Sequence, residues 1–251
     1  MSKIKRVQKP VKKTKLTLPT EKSITASSIL EYVSLFYGPP GVGKTTFVND
    51  LADRVFFIST DRGTRYMETL RAECSSWQDI QKITRALKEQ AHAAKYQLVC
   101  LDHIDDICNM CEEHVCSDLG ISDLTDAGYG KGWKAYRKSI WSVIQEILSL
   151  NLGVVMIAHE TIKTIRTKVI ETERTMPDLS KSAWKVIVPK CDIVGYCGYK
   201  IIKKGGVKKE TRILETSPRE DLYVKDRTKR KVAGGYELLD GSQFVRTFKQ
   251  K

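Results

Sequence analysis

Residues 38–45 read Gly-Pro-Pro-Gly-Val-Gly-Lys-Thr, and this spacing of glycine, lysine and hydroxyl suits one task, holding the phosphates of a nucleotide. Gly38, Gly41 and Gly43 let the backbone curl so that its N–H groups converge on phosphate oxygens. Lys44 reaches the β- and γ-phosphates, and the hydroxyl of Thr45 is placed for Mg²⁺. The candidate nucleotide-binding residues are therefore Gly38, Pro39, Pro40, Gly41, Val42, Gly43, Lys44, Thr45 and Thr46, with ATP and Mg²⁺ as the expected cofactors.

Three further apolar runs lead into polar residues that complete such a site. Residues 98–101 run into Asp102, an acid suited to share Mg²⁺ with Thr45. The next residue is His103 rather than Glu, so the acid that orients the attacking water must come from elsewhere. Val55–Ser59 leads to Asp61, and residues 154–158 lead to His159 and Glu160. Asp61 and Glu160 are rival orienters of the water. His159 can donate to the γ-phosphate whether neutral or charged.

These side chains need one sheet edge to bring them together. The runs Val33–Tyr37, Val55–Ser59, 98–101 and 154–158 are apolar without polar alternation, as buried parallel strands are. Helices are predicted between them at 45–54, 77–95, 104–116 and 133–150. That succession implies an α/β fold, a mostly parallel central sheet flanked by helices. In such sheets ligands sit at the carboxyl ends of the strands. Residues 192–202, 211–215 and 223–224 read as strands, with Gly205-Gly206 as a hairpin turn, adding antiparallel members in the C-terminal part.

The 251 residues, 41% of them hydrophobic, suffice for one sizeable core. Lys and Arg number 43 against 30 Asp and Glu, a net charge of +13. Residues 1–22 read as a basic disordered arm, broken by Pro10 and Pro19, and 23–251 as a single domain. A second basic stretch spans 200–231, and this balance suggests a polyanion, nucleic acid above all, as partner. No apolar run approaches the roughly 18 residues of a membrane span, and no signal-peptide core follows the basic start. The expectation is a cytoplasmic protein without a membrane partner. Its 7 cysteines are then free thiols. Cys108, Cys111, His114 and Cys116 raise the question of zinc, but they fall on a predicted helix without a second ligand pair and read as helix thiols.

The order of the phosphate loop, Thr60-Asp61-Arg62-Gly63, Leu101-Asp102-His103-Ile104, Gly128-Tyr129-Gly130-Lys131-Gly132-Trp133 and Ile157-Ala158-His159-Glu160 resembles the RecA-like core. It is most similar to the small bacteriophage ATPases grouped with single-strand annealing and recombination proteins, over residues 30–230. The resemblance implies a RecA-like P-loop NTPase that binds single-stranded DNA with ATP in phage recombination or annealing, in the host cytoplasm. It also implies a single-strand DNA-binding protein as partner and self-assembly into a ring or filament. Asp61 falls where this group places a catalytic Glu, and His159 where it has a polar sensor. Residues 161–181, with Lys163, Arg166, Lys168 and Arg174, fall at a mobile DNA-binding loop. Tyr129 and Lys131 fall near the other such loop, where an aromatic stacks on a base, while Trp133 reads as core packing. Lys225-Asp226-Arg227 is similar to the Lys-x-Arg of hexameric helicases, whose cations reach a neighbour's γ-phosphate. Alternation on a strand lets Lys225 and Arg227 point at one anion.

Three rival readings remain at this stage. The loop is common in AAA+ loader and remodelling ATPases, though Asp-His in place of Asp-Glu and strands rather than a helical lid separate this chain from them. A nucleotide-gated DNA-binding module with little turnover is the second. A small P-loop kinase is the third, lacking a legible acceptor pocket.

Overall fold

The computed structural model describes residues 26–61, 63–166, 171–204, 207–228, 230 and 235–248. The expected arm at 1–22 and the expected turn at Gly205-Gly206 lie outside them. The strands of the main sheet are β1 (Val33–Tyr37), β2 (Val55–Ser59), β3 (Leu70–Glu73), β4 (Leu98–Asp102), β5 (Gly153–Ala158), then β8 (Ile193–Lys204), β9 (Val207–Glu215), β10 (Lys225–Asp226) and β11 (Glu237–Leu238). Their spatial order is β3-β2-β4-β5-β1-β8-β9-β11, with β10 beside β8. From β3 to β8 all neighbours are parallel, and β9, β10 and β11 join antiparallel. The expected mixed sheet, parallel first and antiparallel after, is the observed one. β6 (Glu160–Arg166) and β7 (Glu171–Pro177) form a separate two-stranded ribbon.

The period of two along each strand sorts its side chains between the faces. Leu35 and Tyr37 of β1, Val99 and Leu101 of β4, and Val154 and Met156 of β5 enter one core. It is covered by α2 (Trp77–Gln90), α3 (Ile104–Leu119), α4 (Lys131–Leu148) and α5 (Lys181–Ile187). Phe36, Leu98, Cys100, Val155 and Ile157 enter the other, beneath α1 (Lys44–Asn49) and α6 (Gly241–Phe248). There Phe36, Phe47 and Phe244 meet edge to face at 5.1, 5.9 and 5.4 Å.

Several boundaries differ from the sequence expectation for local reasons. α1 stops at Asn49, four residues after Thr45, because the chain turns to bury Leu51 before β2. α3 runs on to Leu119 and ends at Gly120, whose φ of 63° only glycine adopts freely. β3, α5 and α6 had no expectation. The largest correction concerns 161–181, expected as a mobile loop. Thr161, Ile162, Thr164, Ile165, Thr172 and Thr175 are β-branched and favour extended backbone, so the segment folds into the β6–β7 ribbon followed by α5.

The stretch 200–231 is not uniformly a cationic surface either. The side chain of Arg230 is 1% exposed. It donates to Asp226 at 2.7 Å and Glu237 at 3.1 Å, and stacks on Phe244 and Phe248. This ties β10, β11 and α6 together. Removing one partner of a buried ion pair strands the others, so Arg230→Ala should cost about 3–5 kcal/mol of stability. Denaturant unfolding checks this; a loss below ~1 kcal/mol would mean the carboxylates find water instead.

Candidate active site

The phosphate loop joins β1 to α1. Gly38, Gly41 and Gly43 take φ values of 153°, 76° and 101°. Val42 is buried in the core beneath the loop and contributes backbone alone to its inner surface. A cavity of about 310 Å³ opens above it, lined by Pro40, Gly41, Gly43, Lys44, Thr45, Thr46, Asp61, Gly63, Met67, His103 and His159. Gly38 and Pro39 stand behind that lining and hold Lys44 through their carbonyl oxygens, at 2.8 and 3.0 Å from the ammonium. Burial lowers the Lys44 pKa from its ordinary value.

Strand parity explains which acids arrive. Cys100 of β4 and Ile157 of β5 face α1, so Asp102 and His159, two residues further on, emerge on that same face. Asp61 follows Phe57 and Ser59 by the same rule. Asp102 is 1% exposed, and Thr45 Oγ1 donates to its Oδ2 at 3.1 Å. Its Oδ1 is buried without a hydrogen bond, 3.3 Å from Nε2 of His103. The Thr45 hydroxyl and the Asp102 carboxylate, with one oxygen still to be satisfied, are the hard oxygen donors that fit Mg²⁺.

Asp61 lines the cavity and also accepts from the N–H of Gly63 at 3.0 Å, so it caps the turn Gly63–Tyr66. The two readings of this residue are compatible. Thr60 fixes its approach: the Thr60 N–H donates to the Asp102 carbonyl at 2.7 Å, and its hydroxyl to Asp106 at 2.8 Å. Glu160 opens β6, accepts from the Tyr196 hydroxyl, and its charge is felt at Lys44. Of the two rival acids, Asp61 lines the cavity, while Glu160 acts on Lys44 through its charge.

His159 needs a correction. Its Nδ1 lies 2.7 Å from Oδ2 of Asp105, whose Oδ1 accepts the His159 backbone N–H at 3.2 Å. An ionised carboxylate only accepts, so Nδ1 carries the proton. Nε2 can then donate to a phosphate only when the ring is doubly protonated, not in either state. The His159 ring stacks on His103 at 4.2 Å. Asp105, Thr60 and His103 were missed from the sequence as site residues. The signal was there for Asp105: an acid three residues past Asp102, in the first turn of α3 and so at the same sheet edge.

The remaining candidates separate. Lys225 and Arg227 do not offer a shared anion seat, because the Lys225 ammonium donates to the carbonyls of Val188 and Cys191. Burial lowers its pKa. Arg227 is 57% exposed, 3.9 Å from Asp192, at the end of the sheet where β1 and β8 begin. The loop lies at the other end, so Arg227 cannot reach its own chain's phosphates. On the ribbon, Lys163 donates to the Leu179 carbonyl at 2.9 Å and Arg174 to that of Glu220 at 2.8 Å. Arg166 ends β6, and Lys168 lies outside the described residues. Gly128, Tyr129 and Gly130 all have positive φ, and Tyr129 is fully exposed. Cys108 of α3 faces Tyr136 of α4, and Cys111 faces Ile140, so the helices run parallel and Tyr129 and Lys131 lie at the cavity's edge of the sheet. Trp133 packs on the core. Cys108 and Cys111 are buried, whereas His114 reaches Gln78 and Asp118. Burial pushes the Cys108 thiol up to about 12.

A glycine loop between a strand and a helix, with an acid from a strand two places away, defines a P-loop nucleotide-binding domain. The chain belongs to the AAA domain family, whose profile matches residues 30–228. Over 199 residues it is 22% identical to the SPbeta prophage-derived uncharacterized protein YorG of Bacillus subtilis (strain 168). That match takes in 78% of this chain and 58% of the relative's length. Among the described residues no helix is long and apolar enough to cross a membrane.

Burial raises the Asp102 pKa from its ordinary value, outweighing the lowering by His103 and Thr45. A raised folded-state pKa means the group favours folding below its unfolded value and loses that contribution as pH rises through the folded value. At neutral pH the ionised carboxylate therefore opposes folding. Asp102→Asn should raise the nucleotide-free thermal midpoint by roughly 2–4 °C. Scanning calorimetry reads this, and a lowered midpoint would show that the charge is already compensated.

Proposed function

We propose that the chain is an ATP-binding and ATP-hydrolysing RecA-like protein that binds single-stranded DNA and assembles into a ring or filament. In this reading residues 23–251 form one ATPase domain behind a basic arm. It acts in phage DNA recombination or annealing beside a single-strand DNA-binding protein. The observation that carries the reading is the convergence of Lys44, the Thr45–Asp102 pair and Asp61 on one cavity. The prophage origin of the relative supports the phage setting.

Thr45 and Asp102 would hold Mg²⁺, which when bound neutralises charge across the β- and γ-phosphates. Lys44 leaves the carbonyls of Gly38 and Pro39 for the same oxygens. Asp61 orients the water, and a protonated His159 donates to the γ-phosphate. Arg227, too far from its own loop, serves a neighbour's site. DNA is met at the cavity's edge by Tyr129 and Lys131, by the ribbon, and by the outer end of β8 and β9 with Lys203, Lys208 and Lys209. A second reading, nucleotide-gated DNA binding with little turnover, is favoured by the engagement of Asp61 with Gly63.

ATPase rates with and without single-stranded DNA test the proposal. Stimulation by DNA is expected, with Lys44→Ala at background; an unchanged Lys44→Ala rate would sink the P-loop assignment. Wild type binding DNA and ATP without turnover would select the second reading. Tyr129→Ala should weaken single-strand binding by about 1–3 kcal/mol, and affinity should fall steeply with salt. Unaltered affinity in fluorescence anisotropy would move the contact elsewhere. Mixing Arg227→Ala with Lys44→Ala subunits should restore some turnover, and no rescue in co-assembled particles would count against the trans role.

A further inference from the structure

Gly43 has a neighbour that the motif does not require. For a Cβ placed on it, the three nearest atoms would be Nη1 of Arg212 at 3.1 Å, Cζ at 3.9 Å and Cδ at 4.0 Å. The guanidinium of Arg212 thus lies along the open side of the glycine that precedes Lys44.

The sheet holds it there. β8 pairs with β1 only from Ile193 to Tyr196, so the rest of β8 and its partner β9 run on past the end of β1, beside the loop. A Cβ on Gly38 would come within 2.0 Å of the Cys197 carbonyl oxygen, which shows how closely β8 abuts the loop. Directly opposed residues of an antiparallel pair share a face. Cys197 opposes Leu214, both buried beneath α1, and Tyr199 opposes Arg212 one step further out on that face. Arg212 is therefore carried by a paired strand and aimed at the loop.

Among the described residues, no carboxylate, carbonyl or aromatic ring partners the Arg212 side chain. Several other cations of this part of the chain are satisfied from within: Lys200 by Glu215 and Tyr236, Arg230 by Asp226 and Glu237. A guanidinium without an acid, set beside a loop built for phosphate, is completed by an anion.

We propose that Arg212 is a nucleotide ligand supplied within the same chain, its guanidinium taking oxygens of the α- and β-phosphates. This rests on the P-loop reading given above. Gly43 belongs to the part of the loop whose N–H groups cradle those two phosphates, whereas Lys44 and Thr45 serve the γ-phosphate end. The planar fork of arginine matches two phosphate oxygens at once, which the ammonium of lysine cannot do. ATP and ADP therefore gain equally, and AMP gains less.

Calorimetric titration of ATP, ADP and AMP into the full chain tests this, with wild type, Arg212→Ala, Arg212→Lys and Lys44→Ala. Arg212→Ala should weaken ATP and ADP alike by about tenfold to a hundredfold, with the AMP affinity moving far less. Arg212→Lys should recover part of the loss, and the nucleotide-free thermal midpoint should not move, because Arg212 is exposed. A wild type that binds ATP while Arg212→Ala binds it equally well overturns the assignment to Arg212 alone. An equal loss for all three nucleotides, with a lowered midpoint and no recovery in Arg212→Lys, also overturns it and makes the residue a packing element. A wild type that binds no nucleotide overturns both this and the P-loop reading.

Discussion

Asp102 is a carboxylate held at 1% exposure with one oxygen on Thr45 and the other without a hydrogen bond. A charge so placed is expensive, since burial strips water from it and only part of the loss returns through Thr45 and His103. The surrounding structure is arranged around keeping it there. β5 lies between β1 and β4, so the loop and the acid are separated by a whole strand and meet only because α1 leans back over the sheet. Val155 and Ile157 of β5 and Cys100 of β4 form the floor on which α1 rests. That floor sets the distance from Thr45 to Asp102, and the network through Thr60, Asp105 and Asp106 sets where the neighbouring side chains stand.

The same parity that brings Asp102 to the loop makes one sheet edge crowded. The β6–β7 ribbon leaves directly after His159, the outer half of β8 and β9 passes the end of β1, and parallel packing of α3 and α4 returns Tyr129 to that level. The Tyr37 hydroxyl, at 3.1 and 3.0 Å from the carbonyls of Thr175 and Tyr223, ties the last residue of β1 to the base of the ribbon. A change at the phosphate loop therefore has short mechanical routes to the ribbon through β1 and to the hairpin through Cys197 and Gly38.

Strands β1, β2, β4 and β5 were legible because each is a short, largely apolar run, and their carboxyl ends gave Asp61, Asp102 and His159 a common edge; β3, with Arg71 and Glu73, was not. The ribbon was not, because its cations drew more notice than its β-branched residues. Asp105 was within reach of the sequence, because the expected helix from 104 puts it in the first turn. Arg212 was not, because it depends on β8 pairing with β1, far away in the chain, which sets the β8–β9 hairpin beside Gly43. Long-range register is not written in local sequence.

That distinction also governs what the net charge means. The excess of cations points to a polyanion, yet several conspicuous basic residues answer to partners within the chain. Lys225 caps carbonyls, Arg230 is buried among acids and rings, and Lys163 and Arg174 hold backbone oxygens at the ribbon's base. Counting charge along the sequence therefore overstates the ribbon and β10 as contact surfaces. The hairpin is the reverse case: Lys203, Lys208 and Lys209 are exposed on a strand pair that carries no catalytic motif. Because like charges repel across a ladder, a basic pair such as Lys203 opposite Lys208 costs stability in the free protein. On the proposed reading, an anionic partner would relieve this repulsion, which makes the hairpin the stronger part of the DNA surface beside the ribbon.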